Sequence, residues 1–228
     1  ASEIFSAAIQ DYGRGLVVGS TTTGKGSAQV QRDDLALGSM TLTQRKFYRI
    51  TGGSTQNKGV VPDVPLVNIY EGIEFGEREY KNPLEWDTIT TTPFMAHGKY
   101  SKDLMASIIA SSQARQQRDP QFKYLTALND IRAMDDDKKP ADVSIDKRRA
   151  KRELIEQKTL AAENARRQAT GEMPFTNWST YQASMDALAE ERSLMKENER
   201  PRLPESEAFV IEAETLMFEA KDKKTLVE

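Results

Sequence analysis

The first third of the chain alternates short apolar runs with glycine and small polar residues. The remainder is a series of charged, periodically apolar stretches broken by proline. Ala1–Tyr12 places Ile4, Phe5, Ala8 and Ile9 at the spacing of one helix face, which predicts a helix with a buried stripe. Gly13 is a natural stop for it. Arg14–Gly19 is a short apolar run with glycine near each end, the pattern of a buried strand. A loop, Ser20–Gly26, follows. Ser27–Arg32 and Ser39–Ile50 are rich in β-formers, with a rough alternation through Met40, Leu42, Phe47 and Tyr48, and predict strands. Gly52-Gly53-Ser54 is a turn. Gly59-Val60-Val61-Pro62-Asp63 is a second turn leading into a sheet edge, with Pro62 fixing the backbone.

From there the period changes. Lys102–Gln117, Gln121–Met134, Ser144–Gln168, Ser179–Asn198 and Glu205–Ala220 predict helices, separated at Pro140, Pro174, Pro201 and Pro204. Ser144 is a candidate N-cap, and Asp146 suits the positive end of that helix. The composition shifts at the same place. Residues 1–68 hold 9 of the 13 glycines but only 12 of the 67 charged residues, so turn-rich chain gives way to solvated helix. The expected organisation is an α/β part over residues 1–68, a linker over 69–93, and a mainly α-helical domain over 94–228. The α/β part reads as a fragment, because its first helix opens at residue 1 with no cap and no preceding strand.

Charge and composition then remove whole classes of function. With 32 Lys+Arg against 35 Asp+Glu in 228 residues, the chain lacks the basic excess of a dedicated nucleic-acid binder. No apolar run is long enough to span a membrane, and no charged-then-apolar leader opens the chain. The absence of cysteine excludes disulfides, thiolate nucleophiles, iron–sulfur clusters and Cys-ligated zinc, and suits an oxidising compartment. The single histidine, His97, leaves a Ser-His-Asp triad without support, and it has no partners at metal-ligand spacing. No metal and no cofactor are expected.

Gly19-Ser20-Thr21-Thr22-Thr23-Gly24-Lys25 matches seven places of a phosphate-binding P-loop after a strand. The next residue, however, is Gly26 instead of Ser or Thr, and Ser27–Arg32 reads as a strand where a P-loop must open a helix. An NTPase is therefore a rival to be tested by context. The alternative is Lys25 itself. Between two glycines, the backbone bends tightly and approaches its neighbours. A lysine acts as a general base only when neutral, so partial burial among apolar side chains is the expected activating device. In a strand, positions 25, 27 and 29 share a face, so Gln29 is placed to hydrogen-bond Lys25 without adding charge.

Other candidates have plainer readings. Asp135-Asp136-Asp137 lacks the alternating ligands and glycine of a calcium loop. Lys147–Arg152 is basic, but Glu153, Glu156 and Glu163 follow on the same helix, which predicts an exposed, ion-paired face. Trp86 and Trp178 sit in irregular, proline-flanked segments, as small-core anchors or docking points.

Several blocks together resemble one family. Ala1-Ser2-Glu3-Ile4-Phe5, Gln10-Asp11-Tyr12-Gly13-Arg14, Val17-Val18-Gly19 and Gly24-Lys25-Gly26 with Gln29 are similar to the tail-specific, or C-terminal processing, serine proteases. So are Lys46-Phe47-Tyr48-Arg49, Gly52-Gly53-Ser54-Thr55-Gln56 and Gly59-Val60-Val61-Pro62-Asp63. The charged helical remainder is more loosely similar to the C-terminal region of its larger members. Two departures stand out: Thr23 replaces an aromatic residue before Gly-Lys-Gly, and Gln31–Gly38 is short.

The resemblance implies a Ser-Lys dyad endopeptidase acting on proteins chosen by their C-terminal tails. Lys25 would be the general base and Gln29 the residue that orients it. Asp11 falls where the family has an acidic residue tied to activity. The nucleophilic serine would stand one residue before Ala1, so the chain as given would be inactive alone, and the Ala1 amide would form half of the oxyanion hole. The family also implies a periplasmic location, peripheral to the inner membrane, and protein or peptide substrates. Adaptor docking or self-association would fall to the helical region. The rival from another class is a non-catalytic helical binding or scaffold protein carrying a degenerate protease remnant.

Overall fold

A computed structural model describes residues 2–35, 38–67, 76–97, 100–134, 142–196, 200 and 204–225. The chain divides into two compact units: residues 1–66 with 73–110, and residues 67–72 with 111–228. The first has a short α/β character with few strands, and the second is helical.

In the first unit, helix α1 (Ser2–Asp11) forms nearly where periodicity places it. Its buried face is not the predicted one. Ala7 and Asp11 are buried, whereas Ile4 and Phe5 are exposed. The rotation follows from Asp11: a carboxylate can be buried only against a partner, and Arg49 supplies it. Ile4, Ala7, Asp11, Tyr48, Arg49 and Ile89 are among the residues lining a cavity of about 350 Å³ on this side of α1.

The apolar run after α1 yields only a two-residue strand, β1 (Val18–Gly19), half-buried and paired in parallel with β4 (Val64–Pro65). The ladder is short because Asp63 takes over the neighbouring backbone. Val17 N–H donates to Asp63 Oδ2 at 2.8 Å, and Val17 C=O accepts from Asp63 N–H at 2.7 Å and from Val64 N–H at 3.2 Å. The strands β2 (Ser27–Leu35) and β3 (Gly38–Lys46) form an antiparallel hairpin. Its register pairs Ser27 with Lys46 and Val30 with Leu42, with a shift between Ala28 and Gln29. Val30, Met40 and Leu42 are all exposed, so their alternation marks a hairpin face and not core.

The core of this unit holds Val60, Val64, Leu66 and Ile108, the last on helix α2 (Lys102–Gln116). Burying each such side chain stabilises the fold by roughly 1.5–3 kcal/mol relative to leaving it in water. Trp86 anchors to this unit: its indole N–H donates to Ser54 C=O at 2.8 Å, and Lys58 Nζ lies 3.2 Å over its ring.

The second unit contains α3 (Pro120–Met134), α4 (Ile145–Thr170), α5 (Trp178–Leu194) and α6 (Pro204–Thr225). Phe122, Leu125, Ile131 and Leu216 are buried, and Phe122 meets Phe209 with ring centroids 5.7 Å apart. Ser144 caps α4 as predicted, accepting from Lys147 N–H. Asn177 caps α5 within a reciprocal capping box with Thr180. Trp178 therefore starts a helix and does not lie in irregular chain.

The basic run 147–152 is exposed, with Lys147 paired to Asp142 at 3.1 Å. Further along α4 the expectation of a solvated face ends: Glu163 is buried and paired with Arg166 at 2.7 Å. It lies within the same charge network as Tyr124, whose phenol is pushed well above its ordinary range, first by burial and then by Tyr181 and Glu163. Among the described residues, no helix is long and apolar enough to cross a membrane.

Candidate active site

The candidate site is built around the Gly24-Lys25-Gly26 turn, and the backbone on both sides of Lys25 is fully occupied. Gly24 N–H donates to Glu3 Oε1 at 2.6 Å, and Gly24 C=O accepts from Asn57 N–H at 2.8 Å. Gly26 N–H donates to Gln56 Oε1 at 2.9 Å, and Gly26 C=O accepts from Phe47 N–H at 2.7 Å. The lysine backbone is thus clamped by the first turn of α1, by the exit of β3 and by residues 56–57. Gln56 is fully buried, so its amide is a fixed reference point for the turn.

Glycine is required at 26 by space. A Cβ built there would stand 2.5 Å from Gln56 N and 2.8 Å from Ser54 Oγ, closer than atoms tolerate. Gly26→Ala is therefore expected to destabilise the first unit by about 1–3 kcal/mol through overpacking. Urea unfolding followed by Trp86 fluorescence in a Trp178→Phe background reads this. An unchanged midpoint would show that the turn yields freely.

The Lys25 side chain leaves this clamp and ends between two acceptors. Its Nζ donates to Gln29 Oε1 at 3.0 Å and reaches Glu77 Oε1 at 3.3 Å. Gln29 is fixed in turn, its Nε2 donating to Thr43 Oγ1 at 3.3 Å across the hairpin. The expected contact between Lys25 and Gln29 is present, but Lys25 stands in the turn before β2 and not in the strand, so the turn and not strand alternation directs its side chain. The surroundings differ from the expectation of an apolar pocket. The lysine side chain is 46% exposed, and polar groups, not apolar burial, hold its amine.

Asp11 sits elsewhere in the unit. Its carboxylate is gripped by the Arg49 guanidinium, with Nε donating to Oδ2 at 2.9 Å and Nη2 to Oδ1 at 2.5 Å, and Gln10 Oε1 accepts from the same Nη2 at 2.8 Å. A second charged group lies beside the exit of β3. Lys46 bonds Asp87 at 2.9 Å, and Tyr48 O–H donates to Asp87 at 3.1 Å. The Lys46 contact is the main cause holding the Asp87 carboxyl below its usual range. Desolvation, then Asp87, raises the Tyr48 phenol. Ala1 and the Asp135–Asp137 run lie outside the described residues.

The P-loop reading fails its context test, because Ser27 opens strand β2 and no helix follows Lys25 to offer its N-terminus to phosphate. Three residues that shape the site escaped sequence reasoning. Glu3 and Gln56 lie inside motif blocks whose turns carried no assigned chemistry. Glu77 lay in a stretch read as linker, with no local signal to mark it.

Comparison with known families then settles the relationship. Residues 70–222 match the model of the C-terminal domain of tail specific protease, and residues 1–66 match Peptidase family S41. The chain belongs to the tail-specific protease family. It is 32% identical to the tail-specific protease of Haemophilus influenzae over 98% of this chain and 32% of that protein. A carboxy-terminal-processing protease of Bartonella bacilliformis is 34% identical over 37% of this chain and 21% of its own length. A probable CtpA-like serine protease of Staphylococcus aureus is 36% identical over 29% of this chain and 13% of its own. The chain therefore spans about a third of the length of the first of these relatives.

Proposed function

We propose that this chain is the C-terminal part of a serine-type endopeptidase that acts on proteins presented by their C-terminal tails, using a Ser-Lys dyad. The observation that carries the reading is the Lys25 amine held by Gln29 at 3.0 Å on a turn whose backbone is tied on both sides. The nucleophile is the serine expected immediately before Ala1. Neutral Lys25 takes the serine hydroxyl proton as the oxygen attacks the scissile carbonyl. The Ala1 amide supports the developing oxyanion. The tetrahedral intermediate collapses, the C–N bond breaks, and the lysine ammonium returns its proton to the leaving amine. Water, deprotonated by the same lysine, then hydrolyses the acyl-enzyme. Glu3 supports the geometry by tying the start of α1, next to the nucleophile, to Gly24 beside the base.

In this reading the chain alone is inactive, residues 1–68 carry the latter part of the catalytic core, and residues 94–228 enclose substrate, dock an adaptor or self-associate. The location is periplasmic. The direct test is to read the codon before Ala1 and assay the full-length protein on a peptide with a free tail. A serine codon and cleavage that depends on that serine are expected. Any other residue there overturns the dyad and favours a non-catalytic binding protein.

Gln29 orients the base and does not take the proton. Gln29→Ala in the full-length enzyme is expected to lower kcat by roughly tenfold, well short of loss of the lysine. A loss as deep as that of Lys25→Ala would give Gln29 a part in the chemistry itself.

A further inference from the structure

Glu77 belongs to a short 3-10 turn, Glu77–Glu79, which lies beyond the residues matching Peptidase family S41 and inside those matching the tail-specific C-terminal domain. It is 52 residues from Lys25 in sequence, yet its carboxylate is the second acceptor on the lysine amine, 3.3 Å away. We infer that Glu77 is a positioning residue for the lysine base, contributed to the catalytic core by the segment that matches the C-terminal domain of tail specific protease. This rests on the reading of Lys25 as general base.

The contact is built. Glu77 N–H donates to Thr23 C=O at 2.9 Å, two residues before the lysine. Glu77 Oε2 accepts from Gln56 Nε2 at 3.3 Å, and the same Gln56 receives the Gly26 N–H through its Oε1. One buried glutamine therefore fixes both the lysine backbone and the carboxylate that meets its amine. Gly76, the preceding residue, has φ 114°, and a Cβ there would stand 2.3 Å from Thr23 C=O, so only glycine lets the turn approach this closely. The Glu77 side chain is 13% exposed, which limits its wandering.

The chemistry explains why two acceptors are useful. A neutral lysine amine has two N–H donors and one lone pair. With Gln29 and Glu77 each taking a donor, the lone pair is aimed along the remaining tetrahedral direction. The proton taken from serine arrives there, and the ammonium that forms has three donors with two already placed. Rotation of the flexible four-carbon stem is thereby suppressed before the reaction begins.

The test is steady-state kinetics of full-length Glu77→Ala and Glu77→Gln enzymes on one tail-bearing peptide, beside Lys25→Ala. Expected is a fall in kcat of about tenfold for Glu77→Ala with KM changed less than about twofold, and recovery to within about threefold for Glu77→Gln, whose amide oxygen still accepts from the amine. The inference is overturned by a Glu77→Ala kcat within about twofold of the parent, by a loss confined to KM, or by a glutamine variant as impaired as alanine, since a purely structural or charge role would give those results. Turnover that survives Lys25→Ala would overturn the base reading, and this inference with it. An inactive Lys25→Ala beside an unimpaired Glu77→Ala would overturn this inference alone.

Discussion

Replacing Lys25 with alanine in the full-length protease is expected to lower kcat by roughly 10²–10⁴-fold, with KM and the folded structure nearly unchanged. The size follows from its proposed role as general base. General base catalysis by a positioned side chain is worth that range, and the two groups that meet the lysine amine do not replace it: Gln29 has no titrating proton, and Glu77 reaches the site through the amine. The fold survives because the lysine contributes little to it. Its side chain is half exposed, and the turn is held by backbone groups that alanine leaves in place, namely those bonding Glu3, Asn57, Gln56 and Phe47. The measurement is single-turnover cleavage of a tail-bearing peptide, with circular dichroism as the fold check. Residual turnover within about tenfold of the parent would remove Lys25 from the base role and return it to the common class of solvated loop lysines.

What could be read from the sequence was local. Lys25 and Gln29, four residues apart, meet at 3.0 Å as the spacing suggested, although Lys25 stands in the turn ahead of β2 and not in the strand that period two assumed. Caps and prolines located the helices to within a few residues, because Ser144 and the helix it caps are neighbours in sequence. The rest depended on pairings between distant positions, which no short window encodes. Asp11 and Arg49 are 38 residues apart, and their ion pair turns α1 so that Ala7 goes inward while Ile4 and Phe5 stay out. Arg166 and Glu163 are close in sequence, but whether such a pair is solvated or buried depends on what covers it, and here Glu163 is covered. Glu77 was invisible for the same reason: glutamate in a polar stretch carries no signal until the fold brings Gly76 against Thr23.

The second large effect is expected at Asp11, and it is one of stability. Among the described residues, Asp11→Ala leaves the Arg49 guanidinium with only the Gln10 amide oxygen as a side-chain partner, in a place where its own side chain is 20% exposed. Breaking a buried ion pair from one side costs about 3–5 kcal/mol, and the partial access of Arg49 to water brings the expectation to about 2–3 kcal/mol. Two compact units do not guarantee one transition, so the probe must be local. Trp86 lies in the first unit and Trp178 in the second, so a Trp178→Phe background makes tryptophan fluorescence report on the unit that contains Asp11. In that background, urea unfolding should show the midpoint for Asp11→Ala falling at unchanged slope. Arg49→Leu should fall as well, but the double variant should recover part of the sum, because the second substitution removes the stranded charge. The same loss should reach activity in the full-length enzyme. Asp11 closes α1, and the first turn of that helix carries Glu3 and follows directly on the proposed nucleophile. A loosened helix would then misplace serine and lysine together. Strictly additive effects of the two substitutions, or a single-variant loss below about 0.5 kcal/mol, would mean that the pair does not fix the helix and that the acidic residue acts on the chemistry by another route.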